Sequence, residues 1–281
     1  ADIDGEYTVT IAGKKIIVNV INGIGTKSIA LDAGKYTANI EYTNKNYENN
    51  IKSIPFNVAK ADVTLSIEVL DKVYDSNIDG NIFASIDGEY NVIINGNTIP
   101  VTVKNGIGEF NLGTLKVGDY SISVIYNGNK NYNSNSNTTT FKVTETGTNF
   151  NIIANSTNIT YGENIKITQK LPSDATGTIT YIFANGTLIN VINVNESFVL
   201  SNLDAGSYVI YGYYSGDSNH KSSRDSLTIT VNKAINNIIV SGENTAYPQN
   251  TTIKVTADID GEYTVTIAGK KIIVNVINGI G

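Results

Sequence analysis

Residues 29–43 read IALDAGKYTANIEYT, residues 113–127 read GTLKVGDYSISVIYN, and residues 201–215 read SNLDAGSYVIYGYYS. Each stretch has a Leu, a Gly three residues later and a Tyr two beyond that. After the Gly the residues alternate. Tyr36, Ala38, Ile40 and Tyr42 share one face, and Thr37, Asn39, Glu41 and Thr43 share the other. A period of two with one apolar side predicts a strand in an antiparallel sheet that is wet on one face. Each strand runs on into an Asn-rich turn: TNKNY at 43–47, NGNKNY at 127–132 and SGDSNH at 215–220.

The three stretches recur at about 85 residues, a suitable length for one β-sandwich. Upstream, SIDGEYNVIING at 85–96 echoes DIDGEYTVTIAG at 258–269, and TGTITYIFANG at 176–186 is a third version. A longer repeat lies over this one. ADIDGEYTVTIAGKKIIVNVINGIG fills residues 1–25 and again 257–281, letter for letter, at an offset of 256 residues. The chain therefore reads as a window slightly wider than one period of a tandem array. The expected pieces are residues 1–59, part of a domain without its first strands; residues 60–145 and 146–232, one domain each; and residues 233–281, the front of the next. Ala1 opens inside a strand-like pattern with no signal peptide, so the start is expected to be processed, engineered or simply the edge of the stretch.

In the split domain the expected strands are 238–242, 252–257, 262–267, 271–277, 26–31, 35–42 and 53–58. Ala268-Gly269-Lys270 is read as a hairpin turn. If the chain is a true subunit, its end domains expose strand edges. Residues 26–60 are then candidates for completion by strands 234–256 of a neighbour.

Composition agrees. The chain has 39 Asn, 41 Ile and 30 Thr, which suit turns and pleated strands. No segment sustains a helical apolar period, so the fold class is all-β: tandem β-sandwiches, three per period. There is no Cys, which removes disulfides, thiolate metal sites and a cysteine nucleophile. The one histidine, His220, cannot build a His-rich metal site. A net charge of −6 argues against nucleic acid and anionic lipid as partners. No apolar run approaches the ~18 residues of a membrane span. Catalytic triads and phosphate loops are missing, and neither a cofactor nor enzymatic activity is expected.

Seven short strands at this spacing resemble an immunoglobulin-like sandwich. Leu31-Asp32-Ala33-Gly34-Lys35-Tyr36 resembles the tyrosine corner ahead of strand F, with Tyr120 and Tyr208 in the other copies. Ala38, Ile122 and Ile210 stand where such domains carry a Cys, and the core Trp is absent. The run Tyr214-Ser215-Gly216-Asp217-Ser218-Asn219-His220 continues into Lys221-Ser222-Ser223 and a Thr/Val strand. It resembles the bacterial-type Ig-like repeats of giant prokaryotic surface proteins. Tyr126 to Tyr132 fits with Asn129 for the Asp. The Asn/Ile/Lys-rich composition is similar to that of the adhesin-like proteins of methanogenic archaea. The resemblance implies an extracellular array at the cell surface, acting as a rigid spacer or filament whose partners are further copies of itself. It also admits an adhesive module that binds a cell-surface glycan or protein.

Candidate sites are few. His220 reads as a surface variant of the usual Tyr. Asp258-x-Asp260-Gly261 is a fragment of a calcium loop without the later ligands, so no metal site is assigned. Glycosylation sequons occur at Asn137, Asn155, Asn158, Asn185, Asn195 and Asn250, with Asn185 at an expected hairpin tip. Val209, Tyr211 and Tyr213 form an outward apolar stripe in one repeat only, which marks a candidate interface. An adhesive module would use the Asn-rich turns after strand F or the Tyr211/Tyr213 face.

Overall fold

The computed structural model describes all 281 residues, and every regular element in it is a strand. The chain divides into two compact units, Ala1–Thr146 and Gly147–Gly281.

The first unit opens with one antiparallel sheet of four strands. These are β1 (Gly5–Ile11), β2 (Lys14–Val20), β3 (Gly34–Asn44) and β4 (Tyr47–Val58), in the order β2-β1-β3-β4. Residues 26–31, expected as a strand, form none. A strand exists only beside a ladder partner, and the first unit offers this segment no such neighbour.

Residues 61–144 form a complete two-layer sandwich. Its strands are β5 (Leu65–Val69), β6 (Lys72–Val73), β7 (Asp79–Ala84), β8 (Gly88–Ile94), β9 (Asn97–Val103), β10 (Ile107–Asn111), β11 (Gly118–Tyr126) and β12 (Asn135–Thr144). One layer is β10-β7-β5 and the other β6-β12-β11-β8-β9. Every pairing is antiparallel except β6 with β12.

The second unit repeats this plan. Its strands are β13 (Asn151–Ala154), β14 (Asn158–Thr160), β15 (Ile165–Lys170), β16 (Thr178–Phe183), β17 (Leu188–Asn193), β18 (Phe198–Leu200), β19 (Gly206–Tyr214) and β20 (Ser223–Asn232). They make the layers β13-β15-β18 and β14-β20-β19-β16-β17. Two hairpin-sized sheets follow: β21 (Ile238–Gly242) with β22 (Ile253–Ala257), and β23 (Gly261–Ile267) with β24 (Lys270–Val276). The β23–β24 turn is shorter than expected. Ala268 and Gly269 alone turn at φ 48° and 80°, and Lys270 already pairs with Ile267. Two left-handed residues match the twist of the flanking strands. The chain is all-β and built of tandem immunoglobulin-like sandwiches.

Alternation decides which side chains meet. In the first complete sandwich Leu65, Ile67, Ile82, Val92, Ile122, Val124, Phe141 and Val143 close one core. In the second, Ile165, Ile167, Ile179, Ile210, Ile229 and Val231 do so. Ile122 and Ile210, at the inward positions after the Gly-x-Tyr, are wholly buried. Tyr90 on β8 and Tyr181 on β16 are also wholly buried and supply the aromatic bulk of the core. Gly212 interrupts the inward row Tyr208, Ile210, Tyr214. A Cβ there would lie 2.9 Å from Ile152 Cδ1 and 3.0 Å from Phe150 Cζ, so the gap is where the opposite layer inserts. With no disulfide, stability rests on this packing. Ile122→Ala is expected to cost about 2–4 kcal/mol, read as a lower urea midpoint for the 61–144 sandwich.

Candidate functional site

Two sets of tyrosines tie turns to strands. Tyr36 donates its hydroxyl proton to Asp32 O at 2.9 Å, Tyr120 to Lys116 O at 2.8 Å, and Tyr208 to Asp204 O at 2.9 Å. A second set was not read from the sequence. Tyr7 donates to Ile3 O at 2.9 Å, Tyr90 to Ile86 O at 2.9 Å, and Tyr263 to Ile259 O at 2.5 Å. Its signal is the echoed I-D-G-E-Y, in which the carbonyl four residues back recurs each time. The Asp of that motif has a separate task. Asp260 accepts N–H bonds from Asn278 at 2.8 Å and Gly279 at 2.9 Å, and Asp4 does the same with Asn22 and Gly23. These bonds, Gly279 first and then Asn278, hold the Asp260 carboxyl below its usual range. Asp258 accepts from Asn237 N at 3.0 Å. The supposed calcium fragment is thus spent on turn backbone.

The Asn-rich turn at 127–132 builds a joint within the first unit. Gly128 sits at φ 78°, where a Cβ would meet Ser134 N at 2.9 Å. Asn129 Oδ1 accepts from Asn131 N and Tyr132 N at 2.8 and 3.0 Å, which fixes the turn. Asn131 then reaches the corner of the first sheet. Its Oδ1 accepts from Ala33 N at 2.9 Å, and its Nδ2 donates to Asp32 Oδ1 at 2.9 Å. Lys130 Nζ lies 2.5 Å from Asp32 Oδ2. The Lys130 hydrogen bond, then that of Asn131, lowers the Asp32 carboxyl. The connecting strand is pinned too: Ala61 N donates to Asn131 O and Asn133 N donates to Ala61 O, both at 2.9 Å.

The matching turn of the second unit corrects one expectation. His220 is not a surface side chain; only 2% of it is exposed. Nδ1 lies 3.0 Å from Asp217 Oδ1, and Nε2 lies 3.5 Å from Asp174 Oδ1. The pattern gave a ring at the turn's surface, whereas the folded ring is buried. Asp217 also accepts from Thr176 N at 2.7 Å, and from Asn219 N and His220 N at 2.8 Å each. Burial works to raise the Asp217 carboxyl. The donated bonds from Thr176, Asn219 and His220 together outweigh it and hold the carboxyl far below its usual range.

On the outward face of β19, Val209 and Tyr211 are half-buried and Tyr213 is exposed. The Tyr211 and Tyr213 rings stand 6.5 Å apart. All six sequon asparagines, Asn137, Asn155, Asn158, Asn185, Asn195 and Asn250, are exposed. Asn185 lies in the turn between β16 and β17, where its Oδ1 accepts from Thr187 N at 3.0 Å.

Residues 152–232 match the family of bacterial Ig-like domains (group 3). They cover the second Ig-like sandwich from β13 to β20. Among solved structures, the tetra-tandem repeat from the extending region of a large adhesion protein is 16% identical over 98% of this chain and 81% of its own, with a TM-score of 0.38. The Ca2+-stabilised adhesin that helps an Antarctic bacterium bind ice is 14% identical over 99% of this chain and 81% of its own, with a TM-score of 0.31. The fibronectin(III)-like modules of Clostridium thermocellum CbhA are 16% identical over 60% of this chain and 95% of theirs, with a TM-score of 0.27. At such scores these likenesses carry no argument about function. No curated protein matches the chain.

Two outcomes follow from the turns. Asp217 is depressed in the folded state, so its contribution is complete above the unfolded value of ~4. It is lost as the pH falls below that. Asp217→Asn should remove about 2 kcal/mol at pH 7, and it should flatten the acid limb of melting temperature against pH. At the joint, Asn131→Ala should widen the angular spread between residues 1–58 and 61–144 more than Lys130→Ala does. The reason is that exposed ion pairs contribute little, and residual dipolar couplings would measure the spread.

Proposed function

We propose that this chain is a load-bearing repeat region of an extracellular surface fibre, a rigid spacer of the kind its sequence resembles in methanogenic archaea. The observation that carries the reading is the parallel pairing of the second strand with the last strand in each complete sandwich. Lys72 and Val73 of β6 pair with Val143 and Thr144 of β12. Asn158, Ile159 and Thr160 of β14 pair with Thr230, Val231 and Asn232 of β20. Once the preceding strand, β5 or β13, has peeled from its antiparallel partner, tension reaches β6 or β14 from its N-terminal end and the last strand from its C-terminal end. Because the two are parallel, they are pulled in opposite directions, and their bonds are sheared together rather than opened one at a time. The pinned joint at residue 61 adds stiffness, since a linker bonded through its own backbone does not swivel freely. No helix is long and apolar enough to cross a membrane. Under this reading the chain carries load and performs no catalysis.

The second reading, adhesion to a glycan or protein, is favoured by the Tyr211/Tyr213 stripe. Tyr211→Ala with Tyr213→Ala would then reduce binding to target cells or glycan, and no loss of binding would retire this reading.

The load reading is tested at Tyr161. Its N–H donates to Asn232 O at 2.8 Å and continues the β14–β20 ladder. Glu163 N closes on Thr160 O at 3.0 Å, and Gly162 has φ 92°, so Tyr161 occupies the turn position that accepts proline. Tyr161→Pro removes one hydrogen bond worth about 1 kcal/mol at equilibrium. In single-molecule pulling it should lower the unfolding force of the 147–232 sandwich and leave that of 61–144 unchanged. Equal forces with and without the substitution would refute the shear reading.

A further inference from the structure

The chain holds six Asn-Gly pairs, at 22–23, 95–96, 105–106, 127–128, 185–186 and 278–279. Such a pair is open to spontaneous deamidation, because glycine has no side chain to shield its own N–H. The Gly nitrogen loses its proton and bonds to the Asn Cγ. The Cγ–Nδ2 bond breaks and ammonia leaves. Water then opens the resulting succinimide to aspartate or isoaspartate. Protein and water are the only reactants.

Two of the pairs turn the chain inside the complete 61–144 sandwich on the same backbone. Asn95-Gly96 joins β8 to β9 with φ 50° and 79°, and Asn105-Gly106 joins β9 to β10 with φ 53° and 82°. Ile94 pairs with Asn97 across the first and Lys104 with Ile107 across the second, so both are two-residue hairpins. Both asparagines are exposed. The turns differ at the attacking nitrogen. Gly106 N donates to Asp87 Oδ1 at 3.0 Å, whereas Gly96 N donates to no protein acceptor. The Gly106 N–H, then that of Asn105, holds the Asp87 carboxyl below its usual range, so it is charged at neutral pH. Taking a proton from Gly106 N would set a developing anion against that carboxylate and break a charge-assisted bond.

The other copies keep the same association. Asp4 and Asp260 accept from Gly23 N and Gly279 N at 3.0 and 2.9 Å, so every I-D-G-E-Y aspartate covers an Asn-Gly. The version at 176–186 has Thr176 in place of the Asp, and its corresponding turn at 193–196 has no Asn-Gly. There the hairpin pair Asn185-Gly186 has its Gly N–H on Phe183 O at 2.8 Å. At the uncovered hairpin, the copies of Asn95 are Ala12 and Ala268, which hold φ 50° and 48° although alanine is ill suited to that region. We propose that Asn95 is a site of spontaneous deamidation, and that Asp87 protects Asn105 from the same reaction by holding the Gly106 N–H. The covered turn is the one that carries the chain from one layer to the other, and Gly106 O there accepts from Ala84 N at 3.0 Å. An isoaspartate at Asn105 would lengthen that backbone by one methylene and disturb both layers. At 95–96 it would alter only a tip within one sheet.

The test incubates the full chain in warm, mildly alkaline buffer and maps its peptides by mass spectrometry, which reads each amide turned to acid and separates isoaspartate from aspartate. In the unmodified chain Asn95 should convert at least about tenfold faster than Asn105, the rate factor of one hydrogen bond to a charged group. Asp87→Ala should bring Asn105 close to the Asn95 rate and leave Asn95 unchanged. Asp87→Asn, which keeps an uncharged acceptor, should fall between. Asn95 reports on the fold in each variant, because unfolding of the sandwich would speed both sites together. Asn105 converting as fast as Asn95 in the unmodified chain overturns the proposal. So does an Asn105 rate that Asp87→Ala leaves unchanged or slows, or a rise shared equally by the two sites. An Asn95 that stays intact while a short peptide of the same sequence converts overturns it as well.

Discussion

A sheet with one apolar face stays wet on that face until a second sheet covers it, and each part of this chain follows from whether that cover is present. Where both layers exist, at 61–144 and 147–232, Ile82, Ile122, Ile165 and Ile210 are wholly buried. Where one layer is missing, the same alternation leaves Tyr7, Val9 and Ile40 lining an open groove. The layer also governs secondary structure. Residues 107–111 are a strand because β7 lies beside them, and the matching residues 24–28 have no such neighbour and form no strand.

Without a disulfide, polar ties fix the loops. A tyrosine hydroxyl reaches a carbonyl four residues back in six places, anchoring the ends of β1, β3, β8, β11, β19 and β23. The cost of burying a phenol is met by that bond, so tyrosine serves as both core filler and loop anchor. Burial pushes Tyr181 up to about 12, and its hydroxyl is held 3.2 Å from Gln169 Oε1. The carboxylates of Asp4, Asp87, Asp217 and Asp260 accept backbone N–H bonds and so stay ionised. These acidic groups stabilise turns.

The turn at 127–132 fixes itself through Asn129 and then offers Asn131 to the neighbouring corner, so a local Asx turn becomes a joint. In each complete sandwich the second strand pairs in parallel with the last one.

Alternation in IALDAGKYTANIEYT and its two echoes was enough to determine an all-β chain with inward Ala38, Ile122 and Ile210, because a two-residue period permits only one face to be buried. Local turn chemistry was legible too, with two left-handed residues at Ala268-Gly269 forming the hairpin. What sequence alone missed depends on neighbours distant in the chain. TKSIAL has strand residues yet forms no strand, since pairing needs a partner's N–H and C=O. His220 looked like a surface side chain and is buried, with Asp174 from another segment 3.5 Å from its Nε2. Tyr7, Tyr90 and Tyr263 looked like ordinary strand residues, and only the folded turn brings the carbonyl four residues back within reach of the hydroxyl.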